Sequence, residues 1–302
     1  MRRLYRISIF LLLVLVLTSC AGNSNPTANS SQDTPNSENK PISITNVGSD
    51  TMVNLALAWA EAYHTAHPQI SVSVTGGGSG TGIAALVNGT VDLANASRVI
   101  KTEEMENATE QNLHPMEYVV ARDAIAVVVH PSNPINQLTL VQISAIYSGK
   151  IDNWSELGGD DRPIVRLSRE TNSGTHVYFL ETVIRLGNAD NKTLFSTDTL
   201  LMQSSEGIIV EVSQNPNAIG YDGLGYVTED MKVLAIATTN EGPFVLPSVA
   251  TVNDGSYPVA RDLYMYTPDE PTGAVKEYLD WVRLSSEAQA IVTQLGFVPA
   301  TP

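Results

Sequence analysis

Apolar residues recur along this chain in two alternating rhythms. Period-two alternation over residues 42–47 predicts a strand, which runs through the polar turn Gly48-Ser49-Asp50-Thr51 into Met52, Leu55, Ala56, Trp59, Ala60 and Tyr63 at helical spacing, ending at Pro68. The unit then repeats. Ile70, Val72 and Val74 alternate, a glycine-rich turn spans residues 76–82, and a helix carrying Ile83, Leu86 and Val87 stops at Asn88-Gly89. Residues 91–93 read as a short strand reaching Ala96-Ser97-Arg98, followed by a helix with Thr102 as its N-cap and Glu103 and Glu104 in its first turn. Residues 163–167 form the next strand, and after Ser168 to His176 a helix presents Val177, Leu180, Val183 and Ile184 before Gly187.

Residues 117–130, EYVVARDAIAVVVH, predict a long strand interrupted only by Arg122 and Asp123, and two charges in a buried strand point to a task. Thr139 and Gln142 make a capping box for the helix that follows, which Ser148-Gly149 closes. Ser205 caps a helix bearing Ile208, Ile209 and Val212, residues 218–221 and 262–266 read as strands, and a helical region over 272–295 breaks near Ser285. This alternation predicts an α/β fold with largely parallel sheets. In such sheets ligands sit where strand ends meet helix N-termini, and the polar turns around residues 49, 79, 98 and 169 each carry hydroxyls or arginine, so they are expected to converge.

The chemistry of those turns is that of an oxyanion site. Arg169 offers a planar fork of donors that matches two oxygens of a phosphate or sulfate, and the backbone N–H groups of Ser173, Gly174 and Thr175 are free at a helix N-terminus. Nucleotide binding is disfavoured, because residues 76–82 fit no G-x-G-x-x-G register and no lysine follows. Thr81 stands where a nucleophile elbow needs glycine after Ser79, and the five histidines lack a zinc-ligand pattern, so no catalytic or metal residues are assigned and no cofactor is expected. His176 reads as a solvated first-turn residue.

A net charge of −15 over 302 residues argues against nucleic acid as a partner, and it leaves anion recognition to short-range donors inside a cleft. The start of the chain has a separate logic. A basic stretch, an apolar run over 7–17 too short to span a bilayer, and Leu17-Thr18-Ser19-Cys20 resemble a bacterial lipoprotein signal peptide over 1–19, with Cys20, the only cysteine, as the lipidated residue. Residues 20–40 are polar and predict a disordered tether.

Taken together, GSDT at 48–51, GGGSGTG at 76–82, ASR at 96–98, ARDAIAVVV at 121–129, IYSGKIDNW at 146–154 and SRETNSGT at 168–175 resemble the phosphate-binding lipoproteins of bacterial high-affinity ABC phosphate importers. The resemblance implies a two-lobed periplasmic-binding-protein-like fold of type II, with mixed, mostly parallel sheets flanked by helices and the ligand between the lobes. Residues 41–130 plus 257–302 are expected to form one lobe and 131–256 the other. It further implies phosphate contacts from Ser49, Thr51, Ser79, Arg169, Ser173, Gly174 and Thr175, with Asp50 beside them. Where some members place an aspartate in the third turn this chain has Ser97-Arg98, so Arg98 is expected as a second arginine and Asp123 as the compensating carboxylate.

The implied protein is a monomeric, extracytoplasmic receptor, held to the membrane by a lipid anchor, that delivers inorganic phosphate to the transmembrane subunits of an ABC permease. The alternatives are an extracytoplasmic phosphoesterase and a receptor for another tetrahedral oxyanion such as sulfate. A carboxylate in the cleft separates phosphate from sulfate, because phosphate near neutral pH still carries a proton to donate and sulfate does not. Asp123 is the first candidate for that acceptor and Asp50 the second.

Overall fold

One long strand in the middle of the chain is the element on which the rest is hung, and the order of the chain explains why. The computed structural model describes residues 41–300; the leader, Cys20 and the tether lie outside the described residues. Strand β1 (Ile42–Gly48) passes through a short 3-10 turn into α1 (Val53–Ala66), then β2 (Ile70–Thr75), α2 (Ser79–Val87), β3 (Leu93–Ala96) and α3 (Thr102–Glu110) follow, each strand feeding a helix. The helical spacing seen in the sequence is the packing pattern: Leu55, Ala56, Trp59, Ala60 and Tyr63 are the buried residues of α1. Helix α3 starts one residue beyond its cap Lys101, with the Glu104 side chain accepting from the Lys101 N–H at 2.8 Å.

Beyond β4 (Met116–Val129) come β5 (Gln137–Thr139), α4 (Leu140–Tyr147), β6 (Val165–Arg169), α5 (Gly174–Phe179), β7 (Leu200–Met202), α6 (Ser205–Gln214), β8 (Ala218–Gly223), β9 (Lys232–Val233), β10 (Ala235–Ala237) and α7 (Val249–Asn253). The chain returns through β11 (Ala260–Thr267) to α8 (Gly273–Leu284), α9 (Ser286–Gln294) and β12 (Val298–Pro299). The expected capping box at α4 is present, with Thr139 N–H donating to Gln142 Oε1 at 2.8 Å and Gln142 N–H to Thr139 Oγ1 at 3.2 Å. Helix α6 is capped by Ser204 rather than Ser205, which frees the Ser205 hydroxyl for another partner.

The sheet order is β2-β1-β3-β11-β4-β8-β6-β7, with β9 and β12 also on β4 and a separate β5–β10 pair. Pairs at both ends of the sheet are parallel, as βα units require, while β3–β11, β11–β4 and β4–β8 in the middle are antiparallel. The sheets of the two lobes are therefore continuous through β4, because its 14 residues suffice to pair with β11 along the first half and β8 along the second.

Core packing changes sides along that strand. Val120 and Ala121 pack with Trp59, Tyr63, Leu263 and Met265, whereas Ala124, Ile125, Val127 and Val129 pack with Trp154, Phe179, Tyr221 and Val259. The handover falls on Arg122-Asp123 going out and between Val259 and Leu263 coming back. No helix among the described residues is long and apolar enough to cross a membrane.

Candidate functional site

Four polar turns that are far apart in sequence meet at this handover. Ser49, at the end of β1, donates from Oγ to Ser97 Oγ at 2.9 Å; Ser79, the first residue of α2, accepts from Ser97 N–H at 3.0 Å and lies 3.3 Å from the Ser97 hydroxyl. All three serines are buried. From the other lobe, Ser173 caps α5 by accepting from Thr175 N–H at 3.2 Å, and Thr175 Oγ1 reaches Thr51 Oγ1 at 2.8 Å. Gly174 lies so close to the facing turns that a Cβ there would stand 2.3 Å from Ser79 Oγ and 2.6 Å from Ser97 Oγ. Only a residue without a side chain allows this approach.

The rim of the same cleft is stitched by Asn172. Its Nδ2 donates to Gly77 O at 2.8 Å and its carbonyl accepts from Gly80 N–H at 3.0 Å, against the left-handed Gly78 (φ +92°). Tyr226 adds a bond from its hydroxyl to Asp50 O at 2.7 Å.

Arg169, the last residue of β6, is 1% exposed, and acceptors surround it. Nη2 donates to Asp50 Oδ2 at 2.7 Å and to Gln203 O at 2.9 Å, Nη1 to Ser205 Oγ at 2.9 Å, and Nε to Met202 O at 3.3 Å. Asp222 Oδ2 stands 3.6 Å from Nη1 and has no hydrogen-bond partner, while Oδ1 accepts from Ser205 Oγ and Gly223 N–H. Burial raises the Asp222 carboxyl above its ordinary value, with Arg169 pulling the other way. The Asp50 pair is a contact across the cleft, since Asp50 also accepts from Gly77 N–H at 2.8 Å through Oδ1.

Arg98 and Asp123, expected where other members place a third-turn aspartate, are each held by an oppositely charged partner. Arg98 directs Nη1 and Nη2 to Glu104 at 2.8 and 2.6 Å, not to the cleft hydroxyls. Burial alone would raise the Glu104 carboxyl, but the hydrogen bonds from Arg98 and from the Lys101 amide hold it below its ordinary value. Asp123, fully buried, pairs instead with Arg261, whose Nη2 donates to its Oδ2 at 3.0 Å, and Oδ1 accepts from Leu224 N–H at 3.3 Å. Burial pushes the Asp123 carboxyl up to about 6, Arg261 offsetting only part of the shift.

Arg261 is not identifiable as a site residue from a strand over 262–266, which begins one residue too late. The signal that locates it is a repeated tetrapeptide, Val-Ala-Arg-Asp, at 120–123 and again at 259–262. Antiparallel register sets Arg261 opposite Asp123 and Asp262 opposite Arg122, so each motif supplies the counter-charge of the other. Asp222 and Ser205 carry no comparable signal. His176 is buried rather than solvated, stacked on Phe195 at 4.4 Å with Nδ1 3.0 Å from Ser168 Oγ, and burial lowers its pKa. Among the described residues no group of three or more His, Cys, Asp or Glu side chains could hold a metal ion.

The geometry so far is that of buried hydroxyls, amides and two caged guanidinium groups between two lobes. Comparison with known proteins gives it a context. The pattern defining the PBP superfamily domain matches residues 26–286. The chain is 33% identical over 273 residues to the phosphate-binding protein PstS of Pseudomonas aeruginosa, covering 85% of this chain and 82% of that one. It is 31% identical over 288 residues to PstS of Bacillus subtilis, covering 95% and 91%. Among solved structures, a phosphate ABC transporter substrate-binding protein with bound phosphate from Clostridium perfringens superposes with a TM-score of 0.76 at 34% identity, covering 86% of this chain and all of that one.

Proposed function

Since the chain belongs to the PBP superfamily and, within it, to the family of the bacterial phosphate-binding proteins, we propose that its cleft captures inorganic phosphate outside the cytoplasm and hands it to an ABC permease. The observation that carries this reading is the meeting of Ser49, Thr51, Ser79, Ser173, Gly174 and Thr175 where the two cores change over, with Arg169 tied to the first of these turns through Asp50. Hydroxyls bonded to one another across a closed cleft can exchange those bonds for bonds to an oxyanion, and Arg169 supplies charge held in place by Ser205, Gln203 and Met202.

Selectivity follows from carboxylates among the donors. Asp50 touches Arg169 directly, and Asp123 is paired with Arg261 and has a raised proton affinity that favours accepting a bond from P–OH. A fully ionised sulfate would face the same carboxylates without a proton to offer. Arg98, bound to Glu104, serves the rim in this reading rather than the ligand. The reading is of a non-catalytic, monomeric receptor with no cofactor and no nucleic-acid partner. Its lobes open and close about the Arg122-Asp123 and 260–262 crossings, and lipidated Cys20 ties the body to the membrane through residues 20–40.

Calorimetry with phosphate, arsenate and sulfate tests it. Phosphate and arsenate are expected to bind and sulfate to bind weakly. Arg169→Ala should lower phosphate affinity about a hundredfold, the scale on which a charge-assisted hydrogen bond inside a cleft contributes. Tighter binding of sulfate than of phosphate moves the ligand to another oxyanion, and turnover of a generic phosphate ester overturns the receptor reading.

A further inference from the structure

Resting on the phosphate reading above, we propose that Arg261 is a positioning cation of the anion site, and that it acts by fixing the direction in which the Thr51 and Thr175 hydroxyls donate. Arg261 leaves β11 at the crossing and is buried to 7% exposure. Its Nη2 faces three acceptors at once: Asp123 Oδ2 at 3.0 Å, Thr175 Oγ1 at 3.0 Å and Thr51 Oγ1 at 3.4 Å, while Nη1 donates to Ser97 O at 2.9 Å. These partners come from both lobes and from the crossing strand, so one guanidinium gauges all three.

A guanidinium has donors and no acceptor, whereas a hydroxyl can do either. Facing Arg261, the two threonine oxygens can only accept from it, so their own protons must point elsewhere. With the threonines 2.8 Å apart, one proton spans the pair and the other is left for the cleft. An arriving oxyanion can take both, because the bond between the threonines is exchanged for bonds to the ligand while Arg261 continues to occupy their lone pairs. The result is a pair of obligate donors, a choice that suits ionised oxygens.

Asp123 makes this arrangement tolerable. A buried unpaired guanidinium would be costly, and the antiparallel register puts a carboxylate opposite it at the same level of the sheet. Arg98 cannot substitute, since both of its terminal nitrogens are held by Glu104. A cavity of about 260 Å³ lined by Arg98, Lys101, Tyr178 and Arg261 flanks the crossing, and the Tyr178 ring centre lies 5.4 Å from the Arg261 guanidinium carbon.

The test is a double-mutant cycle read by calorimetry with inorganic phosphate. Arg261→Met should weaken binding by about tenfold to a hundredfold, the scale of one charge-assisted hydrogen bond. In a Thr175→Val background the same substitution should cost less than about threefold further, because the hydroxyl it orients is gone. Arg261→Lys, which can still donate to the threonines, should recover part of the loss. If Arg261→Met lowers folded yield, the cycle is run with Asp123→Asn in every member, which removes the stranded carboxylate. Equal losses in the two backgrounds would show a purely structural role and overturn the inference. A larger loss for Arg98→Met than for Arg261→Met would also overturn it. Absence of phosphate binding by the unsubstituted protein removes the phosphate reading and this inference together, while binding with additive losses removes the inference alone.

Discussion

The same four residues, Val-Ala-Arg-Asp, occur on both strands that join the lobes, and the two ion pairs they create have opposite fates. Asp123 and Arg261 face inward, their side chains 0% and 3% exposed and 3.0 Å apart. Arg122 and Asp262 face outward, 28% and 43% exposed and 3.6 Å apart. Composition, spacing and strand type are shared, so the difference comes from the pleat: successive side chains on a strand point to opposite faces. Inside, the pair is surrounded by Thr51, Thr175 and Leu224 and its charges are little screened. Outside, Arg122 spreads its donors over Val252 O and Asn253, and the Asp262 side chain is partly exposed. A sequence motif therefore does not carry a role by itself. The face it lands on does.

The sharpest way to break the comparison is to strand one charge on each face. Arg261→Met leaves Asp123 buried without its cation and should destabilise the fold by about 3–5 kcal/mol at pH 8, with much of the loss regained on adding Asp123→Asn. Urea unfolding of the single and double variants checks this, and a loss of under about 1 kcal/mol would mean that the inner pair behaves like the outer one.

Next in size is a pH effect confined to the inner face. Burial raises the Asp123 carboxyl from 3.8 to about 6, so the native state keeps its proton longer than the unfolded chain does. Its stabilising contribution is then complete below about pH 4 and lost as pH rises through about 6. Asp123→Asn cannot titrate, so its stability relative to the unsubstituted protein should climb across that window and level off above it. Denaturation midpoints taken from pH 4 to 8 would expose a flat difference, and a flat difference rejects the raised value. The smallest effect belongs to the outer face: Asp262→Asn should change stability by less than about 0.5 kcal/mol at any of these pH values, and added salt should erase what remains.

Much of this is legible from residues alone, and the boundary of legibility is physical. The strand-turn-helix units declare themselves because α1 and α2 bury whole apolar stripes and β1 and β2 alternate along their length. The hydroxyls of Ser49, Ser79 and Thr175 are readable because each sits at a strand-to-helix turn. Strands β5, β7, β9 and β10 escape notice since two or three residues cannot display a period. The turn of π-helix at Leu180–Ile184 has the same apolar pattern as an ordinary helix. Partner choice is the harder gap. Arg98 lies in a matching motif, yet Glu104, which in sequence is only a first-turn acid favoured by the helix dipole, claims it. Pairing across strands depends on register, which a single stretch of sequence does not contain.

The Asn172 stitches at the cleft rim carry a consequence for time rather than for affinity. They join backbone and amide groups of one lobe to Gly77 and Gly80 of the other, and none of these groups need touch a ligand. In the phosphate reading above, opening the cleft to release a bound ion breaks them. Its residence is thereby set by how often the rim unzips, while the strength of its own contacts decides whether it is still held when that happens. Two receptors with identical inner donors could then differ in how fast they exchange through these rim bonds, of which the one to Gly77 belongs to the side chain at position 172.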